Sequence, residues 1–360
     1  MTAHGGDITR DDLSSYAPKE RKPLAFAHRG LTIETMPPPS MGGIAMAEIL
    51  LGMERAGAHT APLDSPEAVH LFLESAKRAY ADRRAVGADP DFYGERVAPD
   101  ALALLLSPKH IATRQPPIDP DKATPPAAIG PPPEVGPHES PETTHFSVID
   151  KDGNAVSCTV TLSASFGAKI VIPKTGILMS NALGAFSASG VNEVAPGKRM
   201  ASSMSPTLVR RGEETVLVVG SPGGDTIPNT VAQLIRNLVD YAMPVDEAVK
   251  HGRVHHQLSP DVVRTEKSLP LPPATEKRLV DMGYKLEPNA VPLGDGKVIL
   301  VDEATGEVWG YADDREGGLA LGAKKPSAKG GDERTDEPTR PHGDETQKKK
   351  KKKKPKAPKP

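Results

Sequence analysis

Cysteine is almost absent from this 360-residue sequence: Cys158 stands alone, which excludes an intramolecular disulfide framework and any cysteine-built structural zinc site. Aromatic residues are also scarce, at 4%. No apolar run approaches the roughly 18 residues of a bilayer span, so an integral helical membrane protein is excluded. The opening MTAHGGDITRDD lacks the basic-then-apolar layout of a signal peptide, and the chain as written reads as cytoplasmic. Proline is abundant instead, with 38 residues against a usual share of ~5%. The net charge of −2 hides a segregation. From Gly322 onward there are 14 Lys or Arg against 6 Asp or Glu, whereas the preceding residues hold 31 against 41. An acidic body argues against nucleic-acid binding by the folded part.

Four segments follow from composition and periodicity. Residues 1–114 read as mostly helical. Ile44, Ala47, Ile49, Leu50, Leu51 and Met53 follow the rigid turn Met36-Pro37-Pro38-Pro39-Ser40-Met41-Gly42-Gly43, and Val69, Phe72, Leu73, Ala76 and Tyr80 form a second apolar stripe. Residues 115–142 hold ten prolines and read as an extended, exposed linker. Residues 143–321 alternate strands and helices, which implies a layered α/β or α+β domain. Here His145–Asp150 and Ala155–Leu162 flank an Asp152-Gly153 hairpin signal. Short β-runs are expected at 170–172, 177–179 and 216–219. A helix capped by Asp225 carries Ile227, Val231, Leu234, Ile235, Leu238 and Val239, and another helix covers 276–282. A closing hairpin joins 298–301 to 307–311. Residues 322–360, ending in Lys348–Lys354, are expected to be disordered and dispensable for chemistry.

The linker stops at Glu142, and a hydroxyl residue, Thr143, begins the first strand of the β-rich region. If the chain were cut there, the new α-amino group, with a pKa near ~7.7–8.0, would accept the neighbouring hydroxyl's proton and create an N-terminal nucleophile. From spacing alone, two threonines opening a strand are more often plain β-formers than a nucleophile. Ser221-Pro222-Gly223-Gly224 reads either as a tight turn or as backbone amides presented to an anion at a helix start. Adjacent strand histidines such as His255 and His256 point to opposite faces, which favours structural roles over ligation. His145 is expected to pack or hydrogen-bond, and Cys158 to be a small buried hydrophobe.

The run TTHFSVIDKDGNAVSCTVTLSASFG, followed in order by GILMSN, GKRMASSMSPTLV, VVGSPGGD and GRVHHQLSPD, resembles the small subunit of γ-glutamyltransferases (γ-glutamyl transpeptidases, glutathione hydrolases). GGDITRDDLSSYAPKERKPL, HRG, MPPPSMGG and AKRAYADRRAVGADPDF resemble the C-terminal part of that family's large subunit. The resemblance implies a four-layer αββα N-terminal-nucleophile (Ntn) hydrolase fold of the α+β class, with part of the large-subunit layer missing. It implies a precursor that cuts itself between Glu142 and Thr143, and Thr143 as the residue that takes up the acyl group of a γ-glutamyl or related amide. The acceptor is water or an amino-acid or peptide amine, and the cleaved fragment is retained as a heterodimer partner. Thr161 matches the threonine that assists the nucleophile. Ser202 and Ser203 match the serine pair holding the donor's carboxylate, and Gly223 and Gly224 match the oxyanion-hole pair. No cofactor and no metal are implied.

The sequence departs from the family at several points. Ser163, expected among the substrate-binding residues with Ser202 and Ser203, replaces an asparagine two residues after the assisting threonine. Ala182, Gly184 and Ala185 stand where acidic or amide residues grip the donor's α-amino group, so that anchor is expected to be lost. The stretch from Phe186 to Lys198 is too short for a lid, and the arginine pairing with the donor carboxylate has no counterpart. The alternative reading is therefore a catalytically impaired, truncated remnant. Family members are often exported, so a start upstream of Met1 is the alternative to a real truncation. A third reading makes the Lys-rich tail a polyanion-binding element.

Overall fold

Nine helices and eleven strands form among the described residues 6–87, 89–93, 99–130 and 142–322 of this computed structural model. In chain order they are α1 (Arg10–Ser15), β1 (Leu24–His28), β2 (Leu31–Thr35), α2 (Gly42–Arg55), α3 (Pro66–Val86), α4 (Pro99–Leu105), α5 (Pro108–Arg114) and α6 (Pro126–Ile129). Then come β3 (Thr143–Ile149), β4 (Ala155–Thr161), β5 (Thr207–Arg211), β6 (Glu214–Gly220), α7 (Ile227–Ile235), α8 (Val245–Lys250), β7 (Val254–His255) and β8 (Val263–Glu266). The chain closes with α9 (Pro273–Asp281), β9 (Leu286–Asn289), β10 (Lys297–Val301) and β11 (Val308–Ala312).

The helical layer rests on two apolar stripes. Ser65 caps α3 by accepting from the Ala68 amide, Pro66 occupies its first turn, and Val69, Phe72, Leu73, Ala76 and Tyr80 are buried. In α2, Ile49, Leu50 and Met53 are buried in the core shared with α3 and α7, while Ile44 packs with Leu24 of β1 and Leu102 of α4. These helices cover an antiparallel sheet of order β1-β2-β5-β6-β10-β11. Its strand β6 is buried from Val216 to Gly220, as expected of a strand covered on both faces. The β3–β4 hairpin packs on β6 and β10 and supplies the second β-layer. Its register places Thr143 opposite Thr161 and Ile149 opposite Ala155 across the Asp152-Gly153 turn, where Gly153 takes φ +84°. The hairpin is amphipathic in an unusual sense. His145, Ser147, Ser157 and Thr159 alternate on one side, and Ser157 Oγ donates to the Val219 carbonyl and Ser147 Oγ to the Lys297 carbonyl of the sheet. Phe146, Val148, Val156 and Val160, on the other side, are exposed.

Four expectations need correction and one needs an addition. Helix is the main structure over residues 1–114, but Leu24, Phe26, His28, Leu31, Ile33 and Thr35 also alternate inward and build a β1–β2 hairpin at one edge of the large sheet. The proline-rich segment is not a free linker over residues 115–130. Its non-proline residues strap it to α3: His70 Nε2 meets the Asp119 carbonyl (2.8 Å), the Thr124 amide donates to Glu74 Oε1 (3.1 Å), and Ile129 is buried. Residues 131–141 lie outside the described residues. The expected β-runs at 170–172 and 177–179 amount to one bridge, Val171 to Leu178. Asp225 does not cap α7; it sits in a 3-10 turn, Gly224–Thr226, and pairs with Arg83. Cys158 is half-buried, since its strand forms part of a hairpin covered on one side only.

Residues Met1–Ala320 form one compact unit, so the regions before and after Thr143 share a single core. Of the second unit, Leu321–Pro360, only Leu321 and Gly322 fall within the described residues. Among the described residues no helix is long and apolar enough to cross a membrane.

Candidate active site

The hairpin register brings the hydroxyls of Thr143 and Thr161 together. Thr143 Oγ1 donates to Thr161 Oγ1 at 3.2 Å, and Thr161 Oγ1 donates to the Glu142 carbonyl oxygen at 3.0 Å. The Ser163 amide donates to Thr161 Oγ1 at 2.9 Å, which fixes that hydroxyl between its partners. Ser163 adopts φ +74°, a left-handed conformation that asparagine tolerates better than serine. A cleft of about 490 Å³ opens here, lined by Glu142, Thr143, Thr144, Val160, Thr161 and Phe166 among others. A larger cavity, about 1070 Å³, lies between α2, α3 and the proline segment and contains none of the expected site residues.

His145 connects this strand to the glycine turn. It is buried over Gly220, where a Cβ would meet its ring at 2.2 Å, and it contacts Thr159 Oγ1 (2.8 Å) and Ser147 Oγ (3.1 Å). Burial, joined by the Lys297 charge, pushes its pKa down to about 3, so the ring is neutral at physiological pH and serves packing. From Gly220 the chain runs through Ser221 and Pro222 into Gly223 and Gly224, which take φ +132° and +56°. A Cβ on Gly223 would come within 2.5 Å of Thr226 Oγ1 and 3.2 Å of Gly294 Cα, so conformation and space both require glycine. The Asp295 amide donates to Ser221 Oγ at 2.9 Å and pins the turn from the other side.

Ser202 and Ser203 are buried at 8% and 0% exposure, and they do not line the Thr143 cleft. Arg83 Nη2, from α3, donates to Ser203 Oγ and to Asp225 Oδ1 (3.0 Å), while the Tyr80 hydroxyl donates to the Asp225 carbonyl. Ser203 is thus tied through Arg83 to the residue that follows Gly224. Sequence reasoning gave Arg83 no role. Its signal was present, since it continues the buried Val69–Tyr80 stripe one helical turn on, where a cation requires a partner. The segment holding Ala182, Gly184 and Ala185 is a 3-10 turn, Ala182–Ala185, tied back to the residues that follow Thr161 through Asn181. Asn181 Oδ1 accepts from the Ala164 amide (2.9 Å), and the Asn181 amide donates to the Leu162 carbonyl (3.1 Å). No charged side chain stands at those three positions.

His255 and His256 are buried and structural in their contacts. His255 meets Asn229 and Gln257, and burial above all lowers its pKa to about 3, while His256 Nε2 approaches Asp261 at 3.2 Å. Burial together with the Asp295 and Glu142 charges raises the Glu316 pKa, with Lys297 acting in the opposite direction. Among the described residues, the grouping closest to a metal-ligand set is Glu48, Asp82 and His110, on α2, α3 and α5.

The family model described as gamma-glutamyltranspeptidase matches residues 1–323. The glutathione hydrolase proenzyme of Escherichia coli (strain K12) is 41% identical over 327 residues, covering 88% of this chain and 55% of that protein. The acylase ACY 1 proenzyme of Pseudomonas sp. (strain SE83) is 33% identical over 288 residues, covering 79% of this chain and 49% of that protein. Among solved structures, the cephalosporin acylase from Bacillus halodurans superposes with a TM-score of 0.73 at 25% identity, over 87% of this chain and 55% of that one. The chain therefore spans about half the length of the curated relatives it matches.

Proposed function

The chain belongs to the gamma-glutamyltranspeptidase family of Ntn hydrolases, and on that premise we propose that it cuts itself at Glu142–Thr143 and then uses Thr143 as the nucleophile of an amidase or acyltransferase. One observation carries the reading: Thr161 Oγ1 accepts from the Thr143 hydroxyl and donates to the Glu142 carbonyl oxygen. Thr143 Oγ1 attacks the Glu142 carbonyl carbon as its proton passes to Thr161 Oγ1. The proton Thr161 already shares with the carbonyl oxygen moves onto that oxygen. Collapse breaks the C–N bond, protonates the Thr143 nitrogen and leaves an ester between Glu142 and Thr143. Water hydrolyses the ester to a Glu142 carboxylate and a free Thr143 amine.

The freed amine, titrating near ~7.7–8.0, then takes the Thr143 hydroxyl proton during attack on a substrate amide. Gly223 and Gly224 supply amides to the resulting oxyanion. By likeness to the family, Ser202 and Ser203 are assigned the donor's carboxylate; both are buried outside the Thr143 cleft, so donor binding requires that the cleft open toward them. Water or an amine releases the acyl group. The two fragments stay together after the cut, because β2 pairs with β5 and α2 packs on α7 across it. The Thr143–Thr161–Glu142 hydrogen bonds support this reading, and the family match gives the impaired-remnant alternative no better support.

The donor class follows from Ala182, Gly184 and Ala185, which offer no charge to an α-ammonium group. Dicarboxylic mono-amides such as glutaryl amides are the favoured donors, in keeping with the acylase among its relatives. A missing charge-assisted hydrogen bond amounts to about 1.5–3 kcal/mol, or roughly 10- to 150-fold. The test is kcat/KM for a glutaryl amide beside glutathione, with Thr143→Ala silent toward both. A clear preference for glutathione would mean that another residue anchors the ammonium.

A further inference from the structure

We propose that Glu48, Asp82 and His110 bind one zinc-type divalent cation, at a site separate from the Thr143 chemistry. Each residue comes from a different helix, α2, α3 or α5, and one ligand atom from each lies within 4.8 Å of the others. Glu48 is the distinctive member. It sits mid-helix among the buried Ile44, Ala45, Ala47 and Ile49, is itself only 2% exposed, and offers a carboxylate oxygen to the cluster. Its Oε1 meets no hydrogen-bond partner among the described residues. A buried carboxylate oxygen without a partner is costly, and a bound cation removes that cost.

The charge count at the cluster leaves room for a cation. Arg114 Nε holds Asp82 Oδ2 at 2.6 Å, and His110 Nε2 approaches the same oxygen at 3.4 Å. One guanidinium thus faces two carboxylates and a neutral-capable imidazole. His110 and Arg114 are four residues apart on α5 and share a face, so both act on Asp82 from one side while Glu48 belongs to α2. Tetrahedral ligands at ~2.0–2.1 Å from zinc stand about 3.3 Å apart, so side-chain shifts of about 1 Å close the cluster onto an ion. Two carboxylates and one imidazole, with no thiolate, suit Zn²⁺ or Co²⁺ better than a soft-metal site does. The ion would brace α2, α3 and α5 at Asp82, the residue immediately before the Arg83 that holds Ser203.

The full chain, stripped with a chelator and dialysed, is titrated with Zn²⁺ against a chromogenic chelator, and with Co²⁺ by visible absorption. One equivalent of Zn²⁺ is expected to bind and to raise the thermal midpoint. Glu48→Gln and His110→Ala should each weaken that equivalent at least about tenfold, the lower end of what even outer ligand partners contribute, and abolish the matching Co²⁺ bands. Glu48→Gln keeps the size of a protonated carboxyl, so its midpoint without metal should not fall, which separates lost binding from lost folding. Two outcomes overturn the proposal. In one, no Zn²⁺ is bound and Glu48 is simply a buried, protonated acid. In the other, both variants bind Zn²⁺ as the parent does, through other histidines.

Discussion

Replacing Thr161 by valine removes one hydroxyl and keeps the β-branched shape that β4 needs. That hydroxyl makes three hydrogen bonds, at 3.2 Å from Thr143 Oγ1, 3.0 Å to the Glu142 carbonyl and 2.9 Å from the Ser163 amide. In the ground state each is worth about 1 kcal/mol or less, because the site is partly open to water. The larger effect falls on the transition state, where the Glu142 oxygen gains charge. Loss of one oxyanion donor lowers rates by about 10²- to 10³-fold, or about 2.7–4 kcal/mol. The assay is a time course of freshly purified precursor by intact-mass spectrometry, following the fragment that begins at Thr143. Thr161→Val should slow cleavage by that factor, and Thr161→Ser, which restores the hydroxyl, should recover most of it. Cleavage of the valine variant within about threefold of the parent, under 1 kcal/mol, would refute the relay.

Ser163→Asn should stabilise the fold by about 1 kcal/mol in chemical denaturation, because φ +74° strains serine more than asparagine; an unchanged or lower midpoint would count against that strain. Gly223→Ala should abolish turnover and destabilise the protein by about 1–3 kcal/mol, since its Cβ meets Thr226 and its φ is +132°; a stable, active alanine variant would remove this turn from the chemistry. Folded His145 stays neutral down to a pKa of about 3, whereas in the unfolded chain it takes up a proton near 6.5, so the unfolded state binds more protons between those values. Stability should therefore fall as pH drops through this window, by up to about 1.4 kcal/mol per pH unit from this residue, and His145→Gln should show a shallower slope than the parent. Identical slopes would contradict the buried neutral assignment.

Local signals read well from the sequence where the controlling residues were neighbours. The Asp152-Gly153 turn fixed the β3–β4 register and with it the Thr143–Thr161 pairing, and the stripe on α3 and the closing hairpin β10–β11 formed as expected. Residues controlled by distant partners were misread. The β1–β2 strands are five residues each and gain their sheet only by pairing with β5, more than 170 positions away in the register Thr35↔Thr207. Asp225 has the chemistry of a helix cap, yet a buried arginine from α3 claims its carboxylate. Prolines made residues 115–130 look free, while the hydrogen bonds that hold the segment come from His70, Glu74 and Lys77 on α3. Ser202 and Ser203 emerged from motif likeness, but the tie of Ser203 to Arg83 required the fold.

The central claim is that Thr143 cuts the chain before itself. Intact-mass analysis and N-terminal sequencing of the purified full-length chain test it most directly. The parent should yield two fragments, the C-terminal one beginning Thr-Thr-His-Phe, whereas Thr143→Ala should remain a single chain. Cleavage of the Thr143→Ala variant at the same bond, or a parent that stays intact while properly folded, would contradict the account.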